Sequence, residues 1–328
     1  MTDTNAQPVI RVEDLYVSLR RRRDGATIRA VNGVNFSVGR GRTLGIVGES
    51  GCGKSTAAMA LVRLLPKSAE VRGAIHFDGR DLATESQGAL RRIRGRKIAM
   101  IFQDPMVALD PLFTVGDQLA EPLREHLDLD GEALHARQVE LLQAVGISSP
   151  ETRLKQYPHQ MSGGMLQRIV GAIAIACNPE LLIADEPTTA LDPTAQAGYL
   201  ELLERLSETY GLALIVVTHD MGVVSRICHD VMVMYAGQTV EYGPVRAIFD
   251  QPRHPYTQAL LASIPHAVEP GACLPTIEGQ PPDLAALPPG CPFAARCPKV
   301  VDRCRTEAPP PVEFAGGQRA LCWRADER

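Results

Sequence analysis

The sequence predicts an α/β fold built on buried parallel strands, followed by a small irregular C-terminal appendage. Three observations carry this reading. Short apolar runs such as RTLGIVG (42–48), LLIAD (181–185) and LALIVVTHD (212–220) alternate with segments of helical spacing. One of those runs leads through a glycine-rich turn into STAAMALVRLL, which has helical spacing. The composition changes near Gln251: residues 1–250 hold 11 of the 25 prolines, whereas the last 78 hold 14, together with 5 of the 8 cysteines.

In chain order, residues 9–19 and 27–38 read as two strands of a hairpin, turned at Asp24-Gly25. Arg20 to Arg23 form its solvated tip, in preference to a membrane-facing or nucleotide-facing patch. The buried strand of 42–48, its turn and its helix come next. The stretch from about 105 to 176 reads as mainly helical, LLIAD and LALIVV as further buried strands, and VMVMYAG (231–237) as another. Beyond 251 there is too much proline for long helices or central strands. That segment has too small a core to stand alone and is expected to need staples or a metal.

With 328 residues, 45% of them hydrophobic and 22% charged, the chain has globular composition and a length suited to about two domains. Lys plus Arg is 34 and Asp plus Glu is 38, a net charge of −4, so no basic excess points to nucleic acid as a partner. The start, MTDTNAQPVI, is polar and reads as no secretory signal. The longest apolar runs, such as Ile169 to Cys177, fall well short of the ~20 residues that span a bilayer. The expectation is a soluble chain that reaches a membrane only through partners.

GESGCGKST (Gly48 to Thr56) fits the phosphate-loop pattern and sits between strand and helix, as that pattern requires. Gly48, Gly51 and Gly53 let the backbone wrap closely around phosphate, and Ser50 lies within the same turn. Lys54 reaches the β- and γ-phosphates, and Ser55, followed by Thr56, supplies a hydroxyl for Mg²⁺. In LLIADEP a buried strand delivers Asp185 to its C-terminal end, where open α/β sheets bind ligands. Asp185 would hold Mg²⁺, and Glu186 would orient or deprotonate an attacking water. MSGGMLQR (Met161 to Arg168) offers Ser162, Gly163 and Gly164 at a helix start, with Ser162 also suited to capping that helix.

Taken with TTALD directly after LLIADEP, these motifs resemble the ATPase subunits of ABC transporters over about residues 1–250. The resemblance implies a RecA-like P-loop NTPase core with an antiparallel β subdomain and a helical subdomain at about 105–176. It implies a head-to-tail dimer, with ATP between the phosphate loop of one subunit and Ser162, Gly163 and Gly164 of the other. Gln103 in IFQDP matches the family's Q-loop, a link from Mg²⁺ and the attacking water to the membrane partner. Asp192 matches the D-loop and His219 the switch histidine that contacts the γ-phosphate. The catalytic set is then Lys54, Gln103, Glu186 and His219, with Ser55, Gln103 and Asp185 around Mg²⁺. The chain departs from the family in three places. Met161 and Met165 flank Ser-Gly-Gly. Leu19 stands where an aromatic usually stacks on adenine, with Tyr16 on the opposite strand face. Cys52 lies inside the loop and reads as a spacer, with a helix terminus beside it that favours a lower pKa.

PRHPYTQALLASIP, IEGQPPDL and CPFAARCPKVVDRC resemble the tail of dipeptide and oligopeptide importer ATPases, so residues 251–328 are read as that branch's C-terminal domain. Cys291, Cys297, Cys304 and Cys322 are separated by 5, 6 and 17 residues. Structural zinc sites use closer pairs, and the wider spacing suits a larger cluster. The resemblance implies a [4Fe–4S] cluster on these four, with Zn²⁺ as the alternative and disulfides disfavoured in a reducing compartment. Cys177 and Cys228 read as small core residues, and Cys273 receives no role.

The implied function is ATP hydrolysis that energises import of peptides or similar small solutes. It would act at the cytoplasmic face of the membrane, with two permease subunits, a second related ATPase and an external solute-binding protein. A soluble ABC ATPase of translation or DNA repair is the alternative. Against it stand a single cassette, no long heptad insertion and no basic excess. Intact Lys54, Asp185, Glu186 and His219 argue against a non-hydrolysing module.

Overall fold

The computed structural model describes residues 7–189, 191–264 and 276–327. Cys273, Pro265 and Ala190 of TTALD lie outside them. The strands are β1 (Ile10–Arg20), β2 (Thr27–Val38), β3 (Thr43–Val47), β4 (Glu70–Phe77), β5 (Arg80–Asp81), β6 (Ile98–Ile101), β7 (Leu181–Asp185), β8 (Ala213–Thr218), β9 (Asp230–Tyr235), β10 (Gln238–Pro244), β11 (Pro311–Glu313) and β12 (Arg319–Leu321). The chain divides into two compact units that cut across the sequence boundaries drawn above. Among the described residues no helix is long and apolar enough to cross a membrane.

One unit comprises the N-terminal residues up to Val9, Val38–Arg42 and Thr84–Val216. In it β7 lies between β6 and β8. β6 and β7 run parallel, Ile98 opposite Leu181 and Ile101 opposite Ala184. β7 is buried at every residue, the environment in which a strand is apolar without alternation. The predicted helical stretch holds helices Val115–Leu127, Gly131–Ala144 and Gly163–Ile175, with short ones at Pro105–Ala108 and Pro150–Arg153. Thr114 and Asp117 start the first of the long helices as a reciprocal capping box. Leu119 and Leu123, Leu141 and Leu142, and Ile169 and Ala172 are the buried faces on which the three pack.

The other unit comprises Ile10–Ser37, Thr43–Ala83 and Val217–Arg328. It holds a four-stranded sheet in the order β2-β1-β4-β5. Within β1 the register shifts between Glu13 and Tyr16, with Asp14 at a φ of 46°. Leu15 and Val17 then face inward and Tyr16 faces out. At the hairpin tip Arg20, Arg22 and Arg23 are exposed, while Arg21 bonds Asp24 at 2.9 Å and Asp283 of the C-terminal segment at 3.0 Å.

A second array in this unit runs β11-β12-β10-β9-β3. β3 and β9 are parallel, Val47 opposite Val233, and β12 pairs antiparallel with β10. The C-terminal segment is thus an extension of the sheet. It also shares the core: Tyr256, Cys291, Phe293, Ala294 and Cys304 are buried with Val47, Val231, Val233, Tyr235 and Ile248. The segment thus shares burial with its neighbours. Buried Glu241 of β10 moors it, accepting from the Arg253 N–H at 2.7 Å, the His254 N–H at 2.9 Å and Gln318 Nε2 at 2.8 Å. Burial pushes the Glu241 carboxyl up despite these donors.

Candidate active site

The glycine-rich turn closes on itself at the end of β3. Gly48 and Gly53 have φ of 154° and 103°, and a Cβ there would collide with the carbonyl oxygens of Met234 and Ala30. Only glycine permits that closeness, so the loop packs backbone against backbone. Gly53, in the left-handed region, precedes the helix Lys54–Leu61. Lys54, 4% exposed, donates from Nζ to the carbonyl oxygens of Gly48 at 2.8 Å and Glu49 at 3.0 Å. Ser50, Gly51, Ser55 and Thr56 lie on the same turn and first helical residues, as predicted. In this unit His219 follows β8, exposed, and Asp220 beside it caps the helix Met221–Ile227.

At Cys52 the helix terminus does not lower the pKa. The residue is buried, and desolvation raises its thiol pKa, outweighing Lys54 and the helix amide, which lower it. A helix terminus that favours thiolate in water loses to the loss of water itself, so Cys52 is an inert spacer.

In the other unit Asp185 is buried at the end of β7, and Glu186 follows with a φ of 46°. A non-glycine residue in that region is strained, and such strain collects at functional sites. The Glu186 carboxylate is held on one oxygen: Gln103 Nε2 and Thr189 Oγ1 both donate to Oε2 at 3.0 Å. Gln103 and Glu186, far apart in sequence, thus meet through this hydrogen bond. Asp192 caps the helix Pro193–Tyr210, accepting from the N–H groups of Thr194 and Ala195 at 3.0 Å. Ser162 caps Gly163–Ile175 through Met165 N–H at 3.4 Å, while Gly163 and Gly164 form its first turn. A hydroxyl that caps and amides that point outward serve one end of one helix.

Cys291, Cys297, Cys304 and Cys322 all lie in the C-terminal segment, where the Cys291 N–H donates to the Cys304 carbonyl at 2.8 Å and burial raises the thiols of Cys291, Cys297 and Cys322. None is in a disulfide. Burial pushes the Cys291 thiol up to about 11, with the other three thiols adding to the effect. Among the described residues no three His, Cys, Asp or Glu side chains gather tightly enough to hold one metal ion. That arrangement supports neither the expected [4Fe–4S] cluster nor the Zn²⁺ alternative. Cys177 and Cys228 are core thiols, the latter pushed up to about 12 by burial.

Sequence reasoning missed Glu49, Tyr256 and Arg296. Tyr256 Oη accepts from the Glu49 N–H at 2.8 Å, and Arg296 grips the Glu49 carboxylate. One signal was legible: an acid inside an anion-binding turn calls for a counter-charge.

His254, 1% exposed, accepts from the Tyr256 N–H on Nδ1 and lies against Phe293. Desolvation pushes its pKa down to about 3. In the unfolded chain it titrates near 6.5, so below that pH the unfolded state takes up a proton that the native state refuses, and stability falls. Glu241 has the opposite sign, because its raised native pKa favours the fold on acidification. Comparison with H254N, which keeps a capping acceptor, isolates the histidine. Between pH 7 and 5.5 the unaltered chain is expected to lose about 1 kcal/mol more than H254N in denaturant unfolding. Equal losses would refute the assignment.

Residues 31–189 match the family described as ABC transporter, and residues 240–304 match the oligopeptide/dipeptide transporter C-terminal region. The chain is 48% identical to the dipeptide transport ATP-binding protein DppD of Bacillus subtilis, over 98% of this chain and 96% of that protein. It is 44% identical to the oligopeptide transport ATP-binding protein OppD of Escherichia coli, over 100% of this chain and 96% of that one. Among solved structures it resembles the ATP-binding cassette MJ0796, captured as a dimer after hydrolysis with ADP and phosphate. The TM-score is 0.64 at 28% identity, over 72% of this chain and 99% of that one.

Proposed function

The chain belongs to the ABC transporter ATP-binding family, in its oligopeptide and dipeptide importer branch, and from that premise we propose how its residues divide the work. It is an ATPase that energises import through membrane permease subunits fed by a substrate-binding protein. The cargo is peptides or similar small solutes. A second, related ATPase subunit completes a heterodimer at the cytoplasmic face of the membrane.

The observation that carries the catalytic reading is Glu186, strained at the end of a buried strand with one carboxylate oxygen held by Gln103 and Thr189. Lys54 and the amides of Gly51, Gly53, Ser55 and Thr56 bind the phosphates. Ser55 and Asp185, with Gln103, hold Mg²⁺, which neutralises phosphate charge when bound. Glu186 accepts a proton from the attacking water as its oxygen bonds the γ-phosphorus. The bond to the β-bridging oxygen breaks, leaving ADP and phosphate, and His219 contacts the γ-phosphate. Ser162, Gly163 and Gly164 serve the nucleotide bound by the partner ATPase, with Asp192 beside that interface.

The test is transport. Reconstituted with its permeases and binding protein, the chain is expected to drive ATP-dependent uptake of labelled peptide, and K54A to abolish it. Uptake unaffected by K54A would overturn the reading. Co-purification with ribosomes or DNA-repair complexes, without membrane proteins, would favour the soluble alternative.

We further propose that Cys291, Cys297, Cys304 and Cys322 hold a [4Fe–4S] cluster. Its support is the spacing of 5, 6 and 17 residues between the four cysteines, none of them in a disulfide, in a chain whose residues 240–304 match the oligopeptide/dipeptide transporter C-terminal region. Anaerobically purified chain is expected to be brown, with iron and sulfide, and C291S/C304S to be colourless. Colourless unaltered chain, with or without zinc, would reject the cluster.

A further inference from the structure

Glu49 is an acid within a loop that binds a polyanion, and every polar group of it is engaged. Its carbonyl oxygen accepts from Lys54 Nζ at 3.0 Å, and its N–H donates to Tyr256 Oη at 2.8 Å. Its carboxylate takes a two-pronged bond from Arg296, Nη1 to Oε2 at 2.7 Å and Nη2 to Oε1 at 2.9 Å. Tyr256 and Arg296 both come from the C-terminal segment.

Arg296 is built for this position. Its side chain is 4% exposed. Its remaining donors go to Tyr235 Oη at 3.2 Å, Ile277 O at 3.1 Å and Glu278 O at 2.9 Å, so all five N–H groups are used. It lies in the turn 291–297, bounded by Cys291 and Cys297, in which the Arg296 N–H bonds the Phe293 carbonyl. Phe293 locks that turn edge-on against Tyr235, ring centres 5.2 Å apart.

We propose that Arg296 is a positioning residue for ATP binding, through which the cysteine-bounded turn sets the charge and shape of the phosphate loop. It neutralises Glu49, which otherwise places a free carboxylate in the turn that must accept phosphate. It also fixes the residue whose carbonyl orients Lys54. The inference rests on the assignment of residues 48–56 as the ATP site. A two-pronged pair on a buried arginine is stronger and more directional than a fully exposed one.

The experiment measures equilibrium binding of Mg·ATP, and KM and kcat for its hydrolysis, on the full chain. R296M is expected to weaken ATP binding and raise KM by about tenfold, with a smaller change in kcat, because the defect is repulsion in the binding site. The double variant E49Q/R296M is expected to recover affinity to within about threefold of the unaltered chain, since no free carboxylate remains. A merely structural role predicts the reverse, a double variant no better than R296M. That result, or normal ATP affinity in R296M, would overturn the proposal. Should R296M fail to fold, R296K keeps the charge but loses the two-pronged geometry. It is expected to bind ATP about threefold more weakly, and unchanged affinity would count against the inference. K54A serves as the control: if it binds ATP normally, the loop assignment itself fails, whatever Arg296 does.

Discussion

Glu186→Gln is expected to lower ATP turnover by about 10²–10⁴-fold while leaving ATP affinity within a few-fold. Glutamine matches glutamate in shape, so Gln103 and Thr189 keep an oxygen to donate to, and the φ of 46° need not change. What is lost is the group that takes the proton from water. Single-turnover hydrolysis and equilibrium ATP binding, measured side by side, separate the two. Equal turnover in E186Q would remove Glu186 from the proton-transfer role. A large loss of binding would place it in the binding site instead. Because turnover ends the closed state, E186Q with ATP is also expected to accumulate a stable ATPase dimer in size-exclusion chromatography.

Phe293→Ala is expected to destabilise the chain by about 3–5 kcal/mol, the range for emptying a buried aromatic site. Phe293 is 1% exposed, and it touches Tyr235 and Tyr256 with ring centres 5.2 and 5.4 Å away. These rings join the C-terminal segment to the strand that pairs with β3. The cavity would therefore weaken both the sheet and the docking of the cysteine-bounded turn. Denaturant unfolding measures the loss. A change below about 1 kcal/mol would mean the segment packs loosely on a core that does without it.

The parts legible in the sequence were those in which chemistry constrains residue type locally. A loop that must press its backbone against Ala30 and Met234 can use only glycine, so Gly48 and Gly53 stand in the sequence as a pattern. A strand buried on both faces has no polar side, so β7 announces itself and Asp185 marks its end. Ser162 before Gly163 writes a helix start into adjacent letters. For Cys52 the spacer reading was local, but the direction of its pKa depended on burial, which is not.

The sequence by itself therefore determined the α/β class, the buried strands around 42–48, 181–185 and 212–220, the phosphate loop and the acidic strand end, each written in contiguous residues. Only the tertiary structure decided that the proline-rich segment shares a core with β9 and extends its sheet through β12. It alone brought Gln103 to Glu186, and Arg296 to Glu49 across 247 residues of chain. Burial and ion pairing depend on which distant surfaces meet, and a charge carries no mark in its own neighbourhood of the partner that will neutralise it.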